Sequence, residues 1–262
     1  MNRIWLSVAA ILLPLCSCSL KEEREDCPCI VKISLDPSLS GKVVFGAFGE
    51  DGYSYRRENV LSDEEGGFAE YQILRGNNTL YMYQGELTLD GAMVRYRNGV
   101  QADSMYAWNS GLLNTNVENL DIRPVLKKQF ATVYLSVISR NRSVYKIIVT
   151  GGVSGFNILT MRPESGEFAC LANKIDEWYY SFRIPRQFSD ERLATEPLKM
   201  EVYSDSGVAI ADYRLGEAIA EIGYDWESES LADIYVDVDI DQVRLSIDVG
   251  NWEDGGEHSY KI

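Results

Sequence analysis

Apolar and polar residues alternate along most of this chain, in short stretches separated by breaks. Over 29–35, Cys29, Val31, Ile33 and Leu35 fall on one side and Lys32 and Ser34 on the other. That two-residue period marks a half-buried β-strand. Residues 42–48, 68–74, 79–83 and 92–96 read in the same way, with breaks at Glu50-Asp51-Gly52 and Gly76-Asn77-Asn78. A second block of alternation begins at Phe130, where Ala131, Val133, Leu135 and Val137 interleave with Thr132, Tyr134 and Ser136. It continues through 144–149, 178–184, 198–203 and 208–213. Ile234, Val236, Val238 and Ile240 then occupy even positions, whereas Val243, Leu245, Ile247 and Val249 occupy odd ones. A change of phase at Asp241-Gln242 requires a turn or bulge. One helix is expected, because Leu215, Ala218, Ile219 and Ile222 follow helical spacing and Gly223 supplies a C-terminal stop.

Short strands at short intervals predict an all-β protein of antiparallel sandwiches. The division between blocks falls in 121–129, around Pro124. This gives an N-terminal sandwich over 27–125 and a C-terminal one over 126–262. No internal repeat or low-complexity tract stands out.

The first residues follow a different logic. Met1-Asn2-Arg3 precedes a twelve-residue apolar run over 4–15. A membrane-spanning helix needs ~20 such residues, so the run reads as a signal segment covering 1–17. It ends in Leu15-Cys16-Ser17-Cys18, where a leucine three positions before a cysteine, with small residues between, fits a lipoprotein processing site. Cys18 then becomes the lipidated N-terminus, through a thioether that only a thiol can form. Two or more acyl chains hold a protein on a membrane stably. Residues 18–26 are charged and lack aromatics, as expected of a solvated tether.

Charge narrows the partners. Without the signal the chain carries 24 basic and 40 acidic residues, a formal charge of −16. Nucleic acid is an implausible ligand, and anionic headgroups repel such a body, leaving the lipid as the membrane attachment. With Cys16 removed and Cys18 acylated, Cys27, Cys29 and Cys170 remain. Cys27-Pro28-Cys29 is a poor internal disulfide, because an extended chain holds residues two apart too far from one another. Either one of them pairs with Cys170 or all three are buried free thiols.

Catalytic chemistry has little to build on. The lone histidine, His258, lies beside Gly255-Gly256 near the C-terminus and reads as a solvated residue. No nucleophile elbow, zinc motif or phosphate loop occurs; Gly151-Gly152-Val153-Ser154-Gly155 lacks the lysine of a phosphate loop and reads as a turn between strands. No enzymatic activity, cofactor or metal is expected. Asp237, Asp239 and Asp241 would line one strand face at ~7 Å intervals, and a flat row does not converge on a cation. Trp108, Trp178, Trp226 and Trp252, with sixteen tyrosines, admit glycan binding, but aromatics also fill ordinary sandwich cores.

The order of these parts resembles the FimB/Mfa2-like fimbrial anchor and accessory lipoproteins of the Bacteroidetes. There, a lipidated cysteine and acidic tether lead to a Cys-Pro at the first strand, as in Asp26-Cys27-Pro28. An aromatic-ended strand then enters an acidic-Gly turn, as over 43–52, and an aromatic-rich strand closes on Gly, as in Leu80-Tyr81-Met82-Tyr83-Gln84-Gly85. The chain closes on an alternating strand followed by Trp252 and acidic residues. Lys21-Glu22-Glu23 is also similar to the signal that sends such lipoproteins to the outer face of the outer membrane. Cys29 departs from the pattern. The resemblance implies two transthyretin-like sandwiches in tandem and a non-enzymatic structural role in a cell-surface fimbrium. Stalk or accessory subunits would be the partners, assembled by β-strand exchange, and the lipid would hold the assembly to the outer membrane. The alternative is a surface glycan-binding lipoprotein serving nutrient uptake. A hydrophobic groove along a sheet edge would favour the first, and a row of exposed aromatics on one sheet face the second.

Overall fold

The alternating stretches form strands because each can bury one face and hydrogen-bond its backbone to a neighbour. The computed structural model describes residues 27–36, 41–61, 68–85, 87–140, 145–190, 197–250 and 260–261. Its first half contains β1 (Cys29–Ser34), β2 (Gly41–Gly49), β3 (Ser54–Leu61), β4 (Phe68–Ile73), β5 (Asn77–Gln84), β6 (Leu89–Asp90), β7 (Met93–Arg95), β8 (Tyr106–Asn114), β9 (Asn119–Ile122) and β10 (Lys127–Lys128). The second contains β11 (Phe130–Ile138), β12 (Tyr145–Asn157), β13 (Arg162–Leu171), β14 (Asn173–Lys174), β15 (Tyr179–Pro185), β16 (Lys199–Ser204) and β17 (Ala209–Tyr213). After these come the helix α1 (Leu215–Glu221), then β18 (Asp233–Asp239), β19 (Arg244–Gly250) and β20 (Tyr260–Lys261).

Four sheets result, forming two sandwiches. In the first, β4-β1-β9 faces β10-β8-β5-β2-β3. Val31, Ile33, Phe45, Leu80 and Met82 fill the space between them, and the Phe45 and Tyr71 rings stack at 4.2 Å. In the second, β14-β15-β11-β18-β19-β20 faces β17-β16-β12-β7-β6, with β13 on the other side of β12. Thus β6 and β7, from the first half of the chain, complete a sheet of the second sandwich. Val133, Leu135, Ile147, Phe182 and Val236 are among the residues buried there. The helix α1 buries Leu215, Ala218 and Ile219 against this core and stops at Gly223, whose φ of +71° suits glycine. The phase change becomes a hairpin: β18 pairs with β19, Asp239 opposite Arg244, across a turn in which Val243 has φ +51°.

The sandwiches share a wall. Val43, Phe45 and Ala47 of β2 face the first core, while Val44 faces the second, together with Tyr81 and Tyr83 of β5. A strand covered on both faces reads as a continuous apolar run. Asn109 adds a polar tie, its Nδ2 donating to the carbonyls of Ile158 at 3.0 Å and Leu159 at 2.7 Å.

Two sequence expectations need correction. Residues 151–155 are no turn: they lie within the thirteen-residue β12, which bulges at Gly151/Val153 and Val153/Gly155 where it pairs with β13. The glycines serve close packing. A Cβ on Gly152 would come within 2.7 Å of Pro197 Cγ, and one on Gly155 within 2.6 Å of the Val94 carbonyl oxygen. The break at Gly76-Asn77-Asn78 is shorter than expected, since Asn77 and Asn78 already belong to β5. Asn78 is buried there, its Nδ2 donating to Leu74 O at 2.9 Å and Thr115 Oγ1 at 2.6 Å.

Candidate functional site

Cys18, Lys21, Glu22 and Glu23 lie outside the described residues, as do His258 and Trp252. Cys27, Cys29 and Cys170 are free thiols. Cys29 belongs to the first core and Cys170 to the second, so no pair joins them. Burial holds both in the thiol form, pushing Cys29 up and Cys170 up to about 12. Among the described residues no group of three or more His, Cys, Asp or Glu side chains is placed to hold a metal ion. Asp239 and Asp241 instead accept backbone N–H groups, from Gln242 at 3.0 Å and Arg140 at 2.6 Å. Trp226 is buried and Trp108 packs against the first core, which is the ordinary sandwich use of tryptophan.

Surface features remain. A strand with one unpaired edge offers a row of backbone donors and acceptors, and proteins blunt such edges with charge, proline or bulges. The β3 edge carries Arg56, Arg57 and Glu58, and the β13 edge carries Pro163, Glu164 and Glu167 beside its bulges. Neither invites another strand. The β17 edge is different. Among the described residues it pairs only with β16, and it runs Ala209-Ile210-Ala211-Asp212-Tyr213, one charge among apolar residues. Val208 just before it is 63% exposed, and Ile210 is 40% exposed. Next to the end of this strand, a groove of about 370 Å³ runs between α1 and the β18–β19 turn, lined by Tyr213, Arg214, Glu217, Gln242 and Val243. The Tyr213 hydroxyl is buried with no hydrogen-bond partner among the described residues, and burial, then Asp239, raises it to about 12. The β17 edge and this groove form the candidate site. In sequence the signal was present but unused: an apolar strand with one acidic residue looks the same whether interior or edge.

A larger cavity of about 530 Å³ lies where the sandwiches meet, with Trp108, Arg123, Lys127, Arg186 and Glu229 in its wall. Arg186 is not available to an anion there, because its guanidinium is already engaged. Nε donates to Gln129 Oε1 at 2.9 Å, Nη1 to Trp226 O, and Nη2 to Ser228 O at 2.8 Å and Glu229 O at 3.2 Å. Burial lowers its pKa, opposed by Tyr224, Tyr96 and Asp225. Arg186 staples the 226–229 loop to the start of the second sandwich.

No family model and no curated protein matches the sequence. Solved structures do match the fold. A candidate polysaccharide-binding protein of Bacteroides thetaiotaomicron aligns over 89% of this chain and 98% of its own, at 11% identity and a TM-score of 0.61. The fimbrial anchor protein Mfa2 of Porphyromonas gingivalis aligns over 86% of this chain and 98% of its own, at 13% identity and a TM-score of 0.58. A candidate adhesin of B. thetaiotaomicron aligns over 86% and 97%, at 13% identity and a TM-score of 0.58. The chain therefore shares the fold of these proteins.

Proposed function

We propose that this chain is a non-enzymatic lipoprotein that anchors or nucleates a cell-surface fimbrium, joined to pilin subunits by β-strand exchange. The observation that carries the reading is the β17 edge: unpaired among the described residues, poor in charge and flanked by exposed apolar residues, on a fold shared with a fimbrial anchor. Main-chain hydrogen bonds to an added strand supply affinity, and pockets for alternate side chains supply specificity. Lipid on Cys18 holds the assembly to the outer membrane, and Lys21-Glu22-Glu23 directs it to the outer face. Residues 18–26 space the first sandwich from the bilayer, and the second sandwich, which carries β17, makes the subunit contact.

The test separates lipid from edge. Cys18→Ser releases filaments into the medium with the subunit still bound to them. Ile210→Lys places a charge on the edge strand, as natural edges do to refuse partners. It leaves the protein lipidated and folded but removes it from filaments. If Ile210→Lys filaments remain cell-attached and contain the subunit, β17 is not the exchange edge. If deletion of the whole protein leaves attached filaments normal, the anchoring role is wrong.

A further inference from the structure

We infer that the outer face of the β14-β15-β11-β18-β19-β20 sheet is a contact surface for a neutral glycan. This goes beyond the anchoring role and does not depend on the β17 edge, which belongs to the opposite sheet.

Strand register puts the relevant side chains on one face. In β11, Val133, Leu135 and Val137 are buried inward, so Tyr134, Ser136 and Ile138 point outward. Tyr134 stands opposite Ser181 of β15 on one side and Tyr235 of β18 on the other, and Tyr235 stands opposite Asp248 of β19. One row along the strands, Tyr179 lies opposite Ser136, which lies opposite Asp237. The Tyr134 and Tyr235 rings stack at 5.3 Å with planes 17° apart, and Tyr179 is the diagonal neighbour of Tyr134 on the other side, at a spacing of ~8 Å. Tyr179 is 51% exposed, and Ile175, held beside it by the Ile175 N to Tyr179 O bond at 2.8 Å, is 58% exposed. Ser181 and Ser136 are too short to cover the rings beside them.

The mixture identifies the occupant. A tyrosine ring has an electron-rich face that attracts the polarised C–H groups of a sugar ring, and its hydroxyl bonds at the edge. Asp237 and Asp248 only accept hydrogen bonds; Asp248 Oδ1 already takes the Val249 N–H at 2.8 Å, and Asp237 stands beside Ser136 where sugar hydroxyls can donate to it. An apolar protein surface would strand the Asp237 carboxylate without a partner. A second copy of the same face would add its own Asp237 and Asp248 to a surface whose Arg244 already stands opposite Asp239. The same acids, on a chain of net charge −15, repel uronate or sulfated polymers. A neutral polyol with apolar ring faces satisfies every group.

Affinity electrophoresis of the purified protein in gels containing dextran, mannan or xyloglucan, with heparin as the anionic comparison, tests this. Retardation is expected in at least one neutral gel and not in heparin. Tyr179→Ala, whose ring is exposed, weakens it about tenfold, and Asp237→Asn weakens it without altering packing. Ile210→Lys binds as the parent does, and Tyr179→Ala cells keep their filaments, so glycan contact and anchoring fail separately. Equal mobility in all gels overturns the inference, as does retardation that survives both Tyr179→Ala and Asp237→Asn.

Discussion

Gly46 offers the sharpest test of the shared wall between the sandwiches. It stands directly opposite Tyr81, β2 against β5, and the Tyr81 ring lies over it. An ideal Cβ at position 46 would overlap Cζ and Oη of that ring and come within 2.5 Å of Cε1. Carbon atoms are comfortable at ~3.5–4.0 Å, so the ring would have to retreat by more than ~1 Å. The far end of a side chain often can, but Tyr81 is fully buried and stacks on Phe48 at 5.2 Å and on Tyr83 at 6.5 Å. Overpacking of this kind costs about 1–3 kcal/mol. The substitution recovers about 0.5–1 kcal/mol of glycine's entropic disadvantage in a strand. Because the overlap exceeds one methylene's worth, Gly46→Ala should destabilise by about 2 kcal/mol, lowering the melting temperature by roughly 4–8 °C for a chain of this size. Scanning calorimetry or thermal circular dichroism measures it. A Tyr81→Leu background removes most of the effect, giving a coupling energy of the order of 1–2 kcal/mol in a double-mutant cycle. A melting temperature within 1 °C of the parent, or strict additivity with Tyr81→Leu, would refute the reasoning.

Two further outcomes follow from buried groups. Arg186→Lys keeps a charge but cannot reach the acceptors that the guanidinium fork reaches, leaving carbonyls in the 226–229 loop without donors; a loss of at least about 2 kcal/mol in urea unfolding is expected. In native protein at pH 8, Cys27, which is partly exposed, reacts with maleimide, whereas Cys29 and Cys170, buried and raised in pKa, react only after denaturation. Peptide mapping reads this, and a Cys170 peptide linked to Cys27 or Cys29 would contradict the free thiols.

The sequence by itself determined the class of fold, because a two-residue period forces any strand to choose a buried face. Phe130–Ile138, Asp233–Asp239 and Cys29–Ser34 fall where alternation puts them, and so does α1, whose four apolar residues cannot share a strand face. What it did not determine was the set of elements whose side chains answer to distant neighbours. The β3 edge hides in Arg56, Arg57 and Glu58, since an edge strand can be charged and still complete its ladder. The β13 strand hides behind Pro163 and Gly166, and β8 behind Asn109, whose amide finds its acceptors 49 and 50 residues away. Residues 151–155 look like a turn until Pro197 and Val94 pack against them, and only then does glycine signify close approach. The surfaces follow the same division. Alternation alone put Tyr134 and Tyr235 on outward positions, yet their stacking and the row with Tyr179 depend on which strands become neighbours, and that was decided by the burial of a core assembled from both halves of the chain.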